Sequence, residues 1–550
     1  MLIKTFFVIA SVVYVLGHHD GDLSRIVHTD QGPVRGYKDD TGDIFVFYNI
    51  PYATTPTGVD RYKAPLPPPT WSEPFEAVNR DIVCPQHDAG ISGLNVKMQE
   101  DCLIANIHVP VTDEKNLPVL VYVHGGAFQI GYGNKLSPKK LIQTKNLIVV
   151  TFNYRLGIHG FLCLGTEDAP GNAGIKDQVA LLRWVNRNIA SFGGNPNDVT
   201  IAGCSAGSSS VDLLMLSDTT KGLFNKVIAG SGASLSGFSV QIDPLGSAQE
   251  QGLVLNFTNV EDIAALGESY KNIPIEKLLL TNFRNRKHSG VEFAPCVERD
   301  IGQEMFLKEA PIDILKKGDY PKMPIIYGFT SMEGLIRRPF FEEWKDEMNE
   351  KFSNFLSIDL QFDNEQEREE VAAKIKQFYF GDAEVSGDTI LNFINYFTDV
   401  MFSYSMLWSV QLHTRNGNDQ VYLYEYSYVD DDVPIIPYTN VRGAEHCAQN
   451  NALLDGRSST LSDETNISDG FRAIKKIMRE MWSNFITTGQ PVPANSSLPS
   501  WPPANEYRTP HMSFGFNVEL KGILLEPRFR FWDEIYDKHY RTPKSPAIPN

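Results

Sequence analysis

The chain has 550 residues, of which 42% are hydrophobic and 21% charged, so its composition is that of a globular protein with a large core. The formal net charge of -17 argues against nucleic-acid binding, which needs basic surface to neutralise phosphates. No linker, repeat or low-complexity run divides the sequence. We therefore expect a single domain that spans residues 18–550.

The N-terminus has the pattern of a secretory signal peptide. Lys4 precedes an apolar stretch at 5–16, and this stretch ends in Val15-Leu16-Gly17. It is too short to span a bilayer comfortably, which takes about 20 apolar residues, and the small residue at its end favours cleavage. We predict that residues 1–17 are removed and that the mature protein is secreted into the extracellular space without a membrane anchor.

Apolar, β-branched runs alternate with helix-like segments along much of the chain. The predicted strands cover residues 119–123, 147–152, 199–202, 226–229, 324–327 and 421–426. Between Gly174 and Phe192, apolar residues recur every three or four positions, which predicts an amphipathic helix. This alternation favours an α/β fold with a large, mostly parallel central sheet and helices on both faces.

The strand-like run at 199–202 leads directly into Gly203-Cys204-Ser205-Ala206-Gly207. The bare Gly-x-Ser-x-Gly pattern is weak, since about one chain in five of this length contains it by chance. Its position between a strand and a helix is more specific, because a tight turn there strains the central residue and glycines on either side avoid clashes. We therefore predict that Ser205 is a nucleophile at the apex of this turn. Cys204 lies off the apex and does not replace it.

A second glycine-rich segment, His124-Gly125-Gly126-Ala127, follows the strand-like run at 119–123. Consecutive glycines let backbone N–H groups approach a substrate oxygen closely. Taken alone, this segment is equally consistent with a plain turn. Together with the serine turn, it predicts an oxyanion hole formed by the N–H groups of Gly125, Gly126 and Ala206.

Longer sequence blocks accompany these motifs along nearly the whole chain. They include "EDCLIANIHVP", "FNYRLGIHGF", "FGGNPNDVTIAGCSAG", "GLFNKVIAGSGAS", "MPIIYGFTSMEGL" and "MWSNFITTGQPVP". In content and order they resemble the carboxylesterase/cholinesterase family, and most of all the secreted carboxylesterases of insects. The resemblance implies the α/β-hydrolase fold and the hydrolysis of a small-molecule carboxylic ester through an acyl-enzyme. It implies neither a metal nor an organic cofactor.

The resemblance also supplies two partners for Ser205. In this family the triad follows the order serine, acid, histidine, and the acid corresponds to Glu333 in "GFTSMEG". The base corresponds to His446 in "RGAEHCAQ", which resemblance to the family alone distinguishes from the other histidines. Ser231, in "AGSGAS", resembles a family serine that holds the acid by a hydrogen bond.

Two residues near the implied triad depart from the family pattern. Cys204 stands where the family often has Glu, and Gln449 stands where it often has an acid. Because both changes remove negative charge close to His446, they favour neutral, apolar esters over cationic choline esters. The alternative is neutral drift without an effect on specificity.

Six cysteines in an exported chain raise the question of pairing. The resemblance implies a disulfide between Cys84 and Cys102, and it offers no counterpart for the family's second loop disulfide. The state of four further cysteines stays open, with buried free thiols favoured over one more pair: Cys163, Cys204, Cys296 and Cys447.

Three Asn-x-Ser/Thr sequons, at Asn256, Asn466 and Asn495, are predicted glycosylation sites in an exported chain.

Several physiological roles stay open for the ester hydrolase, namely degradation of odorant or pheromone esters, of hormone esters or of xenobiotics. The alternative from another class is a weakly active or inactive family member that acts as a binding or interaction protein. Oligomeric state does not follow from these patterns.

Overall fold

A 13-stranded mixed sheet forms the centre of the computed structural model, which describes residues 23–144, 147–279, 285–456 and 467–547. The predicted signal peptide at 1–17 lies outside the described residues. Within those ranges, no helix is long and apolar enough to cross a membrane.

Twelve strands form the continuous path of this sheet, and a two-residue strand at Phe75–Glu76 pairs with its second strand. The twelve are β1 Ser24–Thr29, β2 Gly32–Lys38, β3 Ile44–Pro51, β4 Ile104–Pro110, β5 Leu117–Val123, β6 Ile148–Phe152, β7 Gly194–Cys204, β8 Lys226–Gly230, β9 Ile325–Thr330, β10 Val421–Tyr426, β11 His511–Phe514 and β12 Val518–Lys521. Their spatial order is β1-β2-β3-β4-β6-β5-β7-β8-β9-β10-β11-β12. The strands from β6 to β11 are parallel, and both ends of the sheet are antiparallel.

Helices lie between the strands and over both faces of the sheet. They are α1 Lys139–Thr144, α2 Gly157–Phe161, α3 Ala173–Asn188, α4 Ala206–Leu216, α5 Pro244–Val254, α6 Ile263–Asn272, α7 Pro311–Lys317, α8 Phe341–Glu350, α9 Glu365–Phe380, α10 Ile390–Thr398, α11 Tyr404–Arg415, α12 Ala448–Leu453, α13 Asp469–Thr488 and α14 Glu526–His539. A π-helical turn, Asp399–Ser403, joins α10 to α11.

Strand β5 shows why the central strands read as continuous apolar runs. Val119 and Val121 belong to the hydrophobic core on one face, which includes residues of α3 and α4. Leu120 and Tyr122 belong to the core on the other face, which includes residues of α13. Because successive side chains point to opposite faces, a strand buried on both faces must be apolar at every position. This two-sided burial confirms the predicted α/β architecture, a large, mostly parallel central sheet with helices on both faces.

The predicted strands correspond to β5 to β10 with small shifts at their ends, while β7 begins five residues earlier than predicted, at Gly194. The predicted helix corresponds to α3, which ends at Asn188 and continues as a 3₁₀ turn at Ile189–Phe192. The antiparallel strands β1 to β4 were not predicted. They alternate less regularly with helices, so the βαβ pattern gives no signal for them.

A buried ion pair fixes the loop that follows β6. The Nε and Nη2 groups of Arg155 donate to the two carboxylate oxygens of Asp177 in α3 at 2.8 and 2.6 Å, and both side chains are fully buried. At the start of α2, which follows this loop, the N–H of Gly157 donates to the carbonyl of Phe128 at 2.7 Å. Phe128 follows the glycine-rich segment after β5, so the ion pair supports the predicted oxyanion loop.

We predict that Asp177→Asn lowers the free energy of unfolding by about 3–5 kcal/mol, because it leaves the Arg155 charge buried and unneutralised. Glu304→Gln serves as the control, since it breaks an exposed ion pair to Arg183 of the same helix and should cost less than about 1 kcal/mol. Urea unfolding of the three proteins measures both effects. Equal losses in the two variants would contradict a special role for the buried pair.

Candidate active site

The predicted triad residues lie at the carboxyl edge of the parallel strands. Ser205 directly follows β7, Glu333 lies shortly after β9, and His446 lies in the long loop after β10. The carboxyl ends of parallel strands meet at one edge of a sheet, where ligands of open α/β folds bind. A cavity of about 690 Å³ opens there, and both Ser205 and His446 line it.

Ser205 occupies a strained turn between β7 and α4, with φ 60° and ψ -129°. A Cβ atom on Gly203 would lie 2.3 Å from the backbone of Gly207, and one on Gly207 would lie 2.1 Å from the carbonyl oxygen of Val123. Only glycine fits at either position, because such distances exclude a side chain. The N–H of Ser205 donates to the carbonyl of Gly230 at 2.9 Å, which fixes the turn to the neighbouring strand.

The imidazole of His446 pairs with the buried carboxylate of Glu333. Its Nδ1–H donates to Oε2 at 2.5 Å, while Oε1 accepts the N–H of Thr330 at 2.8 Å. The ring of Phe402, in the π-helical turn, packs on the imidazole at a centroid distance of 4.3 Å. Holding the proton on Nδ1 leaves Nε2 as the proton acceptor.

Ser205 and His446 form no direct hydrogen bond within the described ranges, although both line the cavity. Catalytic hydrogen bonds are often long before substrate binds and tighten in the complex. The Ser205 hydroxyl and the His446 imidazole therefore face the same cavity, and we expect them to form a hydrogen bond when a substrate binds.

The glycine loop after β5 packs closely against the serine turn. A Cβ atom on Gly125 would lie 2.4 Å from the carbonyl oxygen of Cys204, and Gly126 has φ 123°. In the described part of the chain, the N–H groups of Gly125, Gly126 and Ala206 have no hydrogen-bond acceptor. Gly125 and Gly126 line the cavity, and Ala206 begins helix α4, whose first N–H groups lack partners within the helix.

His124 holds the start of this loop in place, and we assign it a structural role. Its ring stacks on Tyr154 at a centroid distance of 4.4 Å, and the Tyr154 hydroxyl donates to the carbonyl of His124 at 2.9 Å. Burial lowers the pKa of His124 to about 4, so the imidazole is neutral at physiological pH.

The three residues predicted to surround the triad lie together behind it. The side-chain amide of Gln449 donates to the Ser231 hydroxyl at 2.8 Å and lies 3.8 Å from Cys204 Sγ. Among the described residues, Ser231 forms no hydrogen bond with Glu333, in contrast to the role that the resemblance implies. The backbone N–H of Thr330 occupies one oxygen of that carboxylate instead.

All six cysteines are paired. The disulfides are Cys84–Cys102, which the resemblance implied, Cys163–Cys296 and Cys204–Cys447. The expectation of free thiols at the last four positions is therefore wrong. Their Cα atoms lie 6.7 Å apart in Cys163–Cys296 and 6.3 Å apart in Cys204–Cys447, within the reach of a disulfide.

Two of the three predicted glycosylation sites can be placed. Asn256, in the loop after α5, and Asn495, in the loop after α13, are both exposed. Asn466 lies outside the described residues.

The cavity wall contains residues that the sequence analysis missed. Its apolar side chains include Ile130, Phe238, Val291, Ile336, Phe340, Met401 and Phe402. Arg337 also lines it, and burial lowers the pKa of this guanidinium to about 10, so it stays charged at neutral pH. Arg337 and its exposed neighbour Arg338 look alike in the sequence, and no pattern marks the one that faces the cavity. Within the described ranges, no cluster of side chains has the composition of a metal site.

Comparison with known proteins places this geometry in a family. Residues 23–532 match the model of the carboxylesterase family. Esterase FE4 of Myzus persicae is 32% identical over 490 residues, which cover 84% of this chain and 83% of that protein. Juvenile hormone esterase of Heliothis virescens is 32% identical over 504 residues, which cover 88% of each chain.

A solved structure gives the same result. The crystal structure of juvenile hormone esterase from Manduca sexta, with OTFP covalently attached, aligns with a TM-score of 0.81 and 29% identity. The alignment covers 94% of this chain and 100% of that one. Since the family match spans nearly the whole sequence and the fold agrees, the chain belongs to the carboxylesterase family and is a carboxylic ester hydrolase.

Proposed function

We propose that this protein cleaves neutral, largely apolar esters through a triad of Ser205, His446 and Glu333, with an acyl-enzyme on Ser205. One observation carries the proposal. The buried carboxylate of Glu333 holds His446 by a 2.5 Å hydrogen bond, and His446 shares its cavity with a serine in a strained, glycine-flanked turn.

The geometry supports a general-base attack. His446 Nε2 takes the proton of the Ser205 hydroxyl as Oγ attacks the ester carbonyl, and Glu333 stabilises the imidazolium that forms. The carbonyl oxygen becomes negative, and the N–H groups of Gly125, Gly126 and Ala206 donate to it. When the tetrahedral intermediate collapses, the imidazolium gives its proton to the leaving alcohol, and the acyl group stays on Ser205.

Hydrolysis of the acyl-enzyme repeats these roles with water. His446 removes a proton from water as its oxygen attacks the acyl carbon, and the same three N–H groups stabilise the second oxyanion. The proton then returns to Ser205 Oγ as the carboxylic acid leaves. The chain's own residues therefore account for every proton in the cycle.

The cavity wall supports neutral rather than cationic substrates. Most of the side chains that line it are apolar. Its charged residues, Lys135, Arg337 and Glu445, sum to one positive charge, and the buried guanidinium of Arg337 would repel a cationic alcohol group. Behind the histidine, Gln449 is neutral and Cys204 is bonded to Cys447, so neither position supplies the negative charge that favours an imidazolium or a choline group.

Export and processing belong to the same proposal. We infer that residues 1–17 are a cleaved signal peptide, that residues 18–550 form one secreted domain, and that the sequons are glycosylated. Three disulfides support an oxidising compartment, and Asn256 and Asn495 are exposed. The relatives include a protein named juvenile hormone esterase, which supports a hormone ester as one candidate substrate beside odorant and xenobiotic esters.

The rival function is that of an inactive binding protein of the same fold. It would need no strained serine, no paired histidine and carboxylate, and no open oxyanion donors. The presence of all three side by side favours catalysis.

Ser205→Ala is expected to abolish hydrolysis of 4-nitrophenyl butyrate and covalent labelling by an organophosphate, because it removes the attacking oxygen. Ser500→Ala, at an exposed serine far along the chain, should leave both unchanged. Mass spectrometry of the labelled peptides locates the adduct. Labelling that persists in Ser205→Ala would show that another residue is the nucleophile.

His446→Ala should lower kcat by about 10³-fold or more, and Glu333→Gln by somewhat less, because the first removes the base and the second only its partner. The control is His28→Ala, at an exposed histidine outside the site. Steady-state kinetics with circular dichroism separates lost catalysis from lost folding. Full activity in folded Glu333→Gln would place the triad acid elsewhere.

Arg337→Gln should raise kcat/KM for a choline ester, relative to the uncharged 3,3-dimethylbutyl ester of the same acid, by about three- to tenfold, because a like charge is removed from the cavity. Arg338→Gln is the matched control, since that side chain is exposed and does not line the cavity. The wild type should prefer the uncharged ester. If Arg337→Gln leaves the ratio unchanged, Arg337 does not set this preference.

A further inference from the structure

The Cys204–Cys447 disulfide joins the two residues that flank the proposed nucleophile and base. Cys204 directly precedes Ser205, and Cys447 directly follows His446, although 243 positions separate the two cysteines in sequence. Both cysteines line the cavity. The other two disulfides do not line it, so this bond alone connects the serine turn covalently with the histidine loop.

Cys204 is firmly held at the end of β7. Its backbone pairs with Gly230 in the neighbouring parallel strand, and the side chain is almost completely buried. Its carbonyl oxygen lies so close to Gly125 that a Cβ atom there would be 2.4 Å away. Cys204 therefore contacts strand β8, the glycine loop and, through its sulfur, the histidine loop.

The histidine loop has little regular structure of its own. It runs from Tyr426, at the end of β10, to Ala448, at the start of α12. A backbone hydrogen bond from Met332 to Ala444 connects it to the loop that carries the acid. Loops of this length are the mobile part of most folds, whereas a catalytic base must keep its place to a fraction of an ångström.

Cys447 adopts a costly backbone conformation beside the base. Its φ is 63°, in the left-handed region that favours glycine and costs another residue about 1 kcal/mol or more. Its Sγ lies 3.7 Å from Nε2 of His446, the nitrogen that accepts the proton in the proposed mechanism. The crosslink thus reaches the histidine loop next to the reacting nitrogen.

We propose that the Cys204–Cys447 disulfide is a positioning element for the catalytic base, which holds Nε2 of His446 at the serine turn. The proposal rests on the proposed function of Ser205 and His446. Without the bond, the loop keeps its fold but His446 samples positions away from the serine. A displacement of about 1 Å in a catalytic group can cost up to about 10²-fold in rate.

The test compares two variants that each lose one long-range disulfide. Cys204→Ala with Cys447→Ala removes the proposed positioning bond, and Cys163→Ala with Cys296→Ala removes the matched bond that spans 133 positions. Both should lower the melting temperature. Only the first should lower kcat for 4-nitrophenyl butyrate, by about tenfold or more, with KM within about threefold, because the base acts in the transition state and not in binding.

The proposal is overturned if the two double variants have equal kcat, or if the loss in the first appears in KM alone. If the first variant does not fold, the wild type is reduced under native conditions with increasing concentrations of tris(2-carboxyethyl)phosphine. For each disulfide, one phosphine and one water give two thiols and one phosphine oxide. Activity is measured on one sample, and free Cys447 is mapped by alkylation of another. Activity should fall in proportion to free Cys447, and full activity with Cys447 free refutes the proposal.

Failure of the proposed function gives a different result. In that case the wild type and the Cys163→Ala, Cys296→Ala control are not labelled by an organophosphate at Ser205. If both are labelled and active, and the Cys204→Ala, Cys447→Ala variant equals them, only the positioning role is refuted.

Discussion

At Ser205 the chain reverses from strand to helix with φ 60° and ψ -129°, a conformation that costs a residue other than glycine about 1–3 kcal/mol. Two glycines make the reversal sterically possible, since a side chain on Gly203 or Gly207 would meet backbone at 2.3 or 2.1 Å. The hydrogen bond from Ser205 to Gly230 holds it. This turn determines where the Ser205 hydroxyl points, and the proposed oxyanion loop and the histidine loop must both be placed relative to it.

The parallel sheet is what allows groups so distant in sequence to meet this turn. Strands β5, β7, β9 and β10 run in one direction, so the glycine loop, Ser205, Glu333 and His446 all lie beyond the same edge of the sheet. Burial on both faces keeps these strands in register, because each alternate residue belongs to one of two cores. The rigid sheet thus positions the strand ends, while the long histidine loop needs further restraint.

Sequence patterns predicted Ser205 and the elements that depend on local order, and resemblance to a family predicted its two proposed partners, Glu333 and His446. Strands β5 to β10, helix α3 and the glycine-flanked serine have signals within a short window of sequence. Contacts between residues that are far apart in the sequence leave no such local signal. The approach of Cys204 to Cys447 and the hydrogen bond from Gln449 to Ser231 depend on where a long loop returns to the sheet. In the same way, the burial of Arg337 but not Arg338 depends on how the turn after Glu333 packs against its neighbours.

The Cys204–Cys447 disulfide also bears on the two positions, 204 and 449, where this chain lacks the acidic residue that the family often has. A Glu at position 204 would act on His446 through its charge, whereas Cys204 acts through a covalent bond to the next residue along. A carboxylate at position 204 would also remove the disulfide. One substitution there therefore cannot change the charge near His446 without also changing how the histidine loop is held. Gln449, 2.8 Å from Ser231, still allows charge to be changed alone. Around His446, the proposed base, a neutral Gln449 side chain is therefore combined with a covalent restraint, and such a disulfide would persist in the oxidising compartment that we propose for this protein.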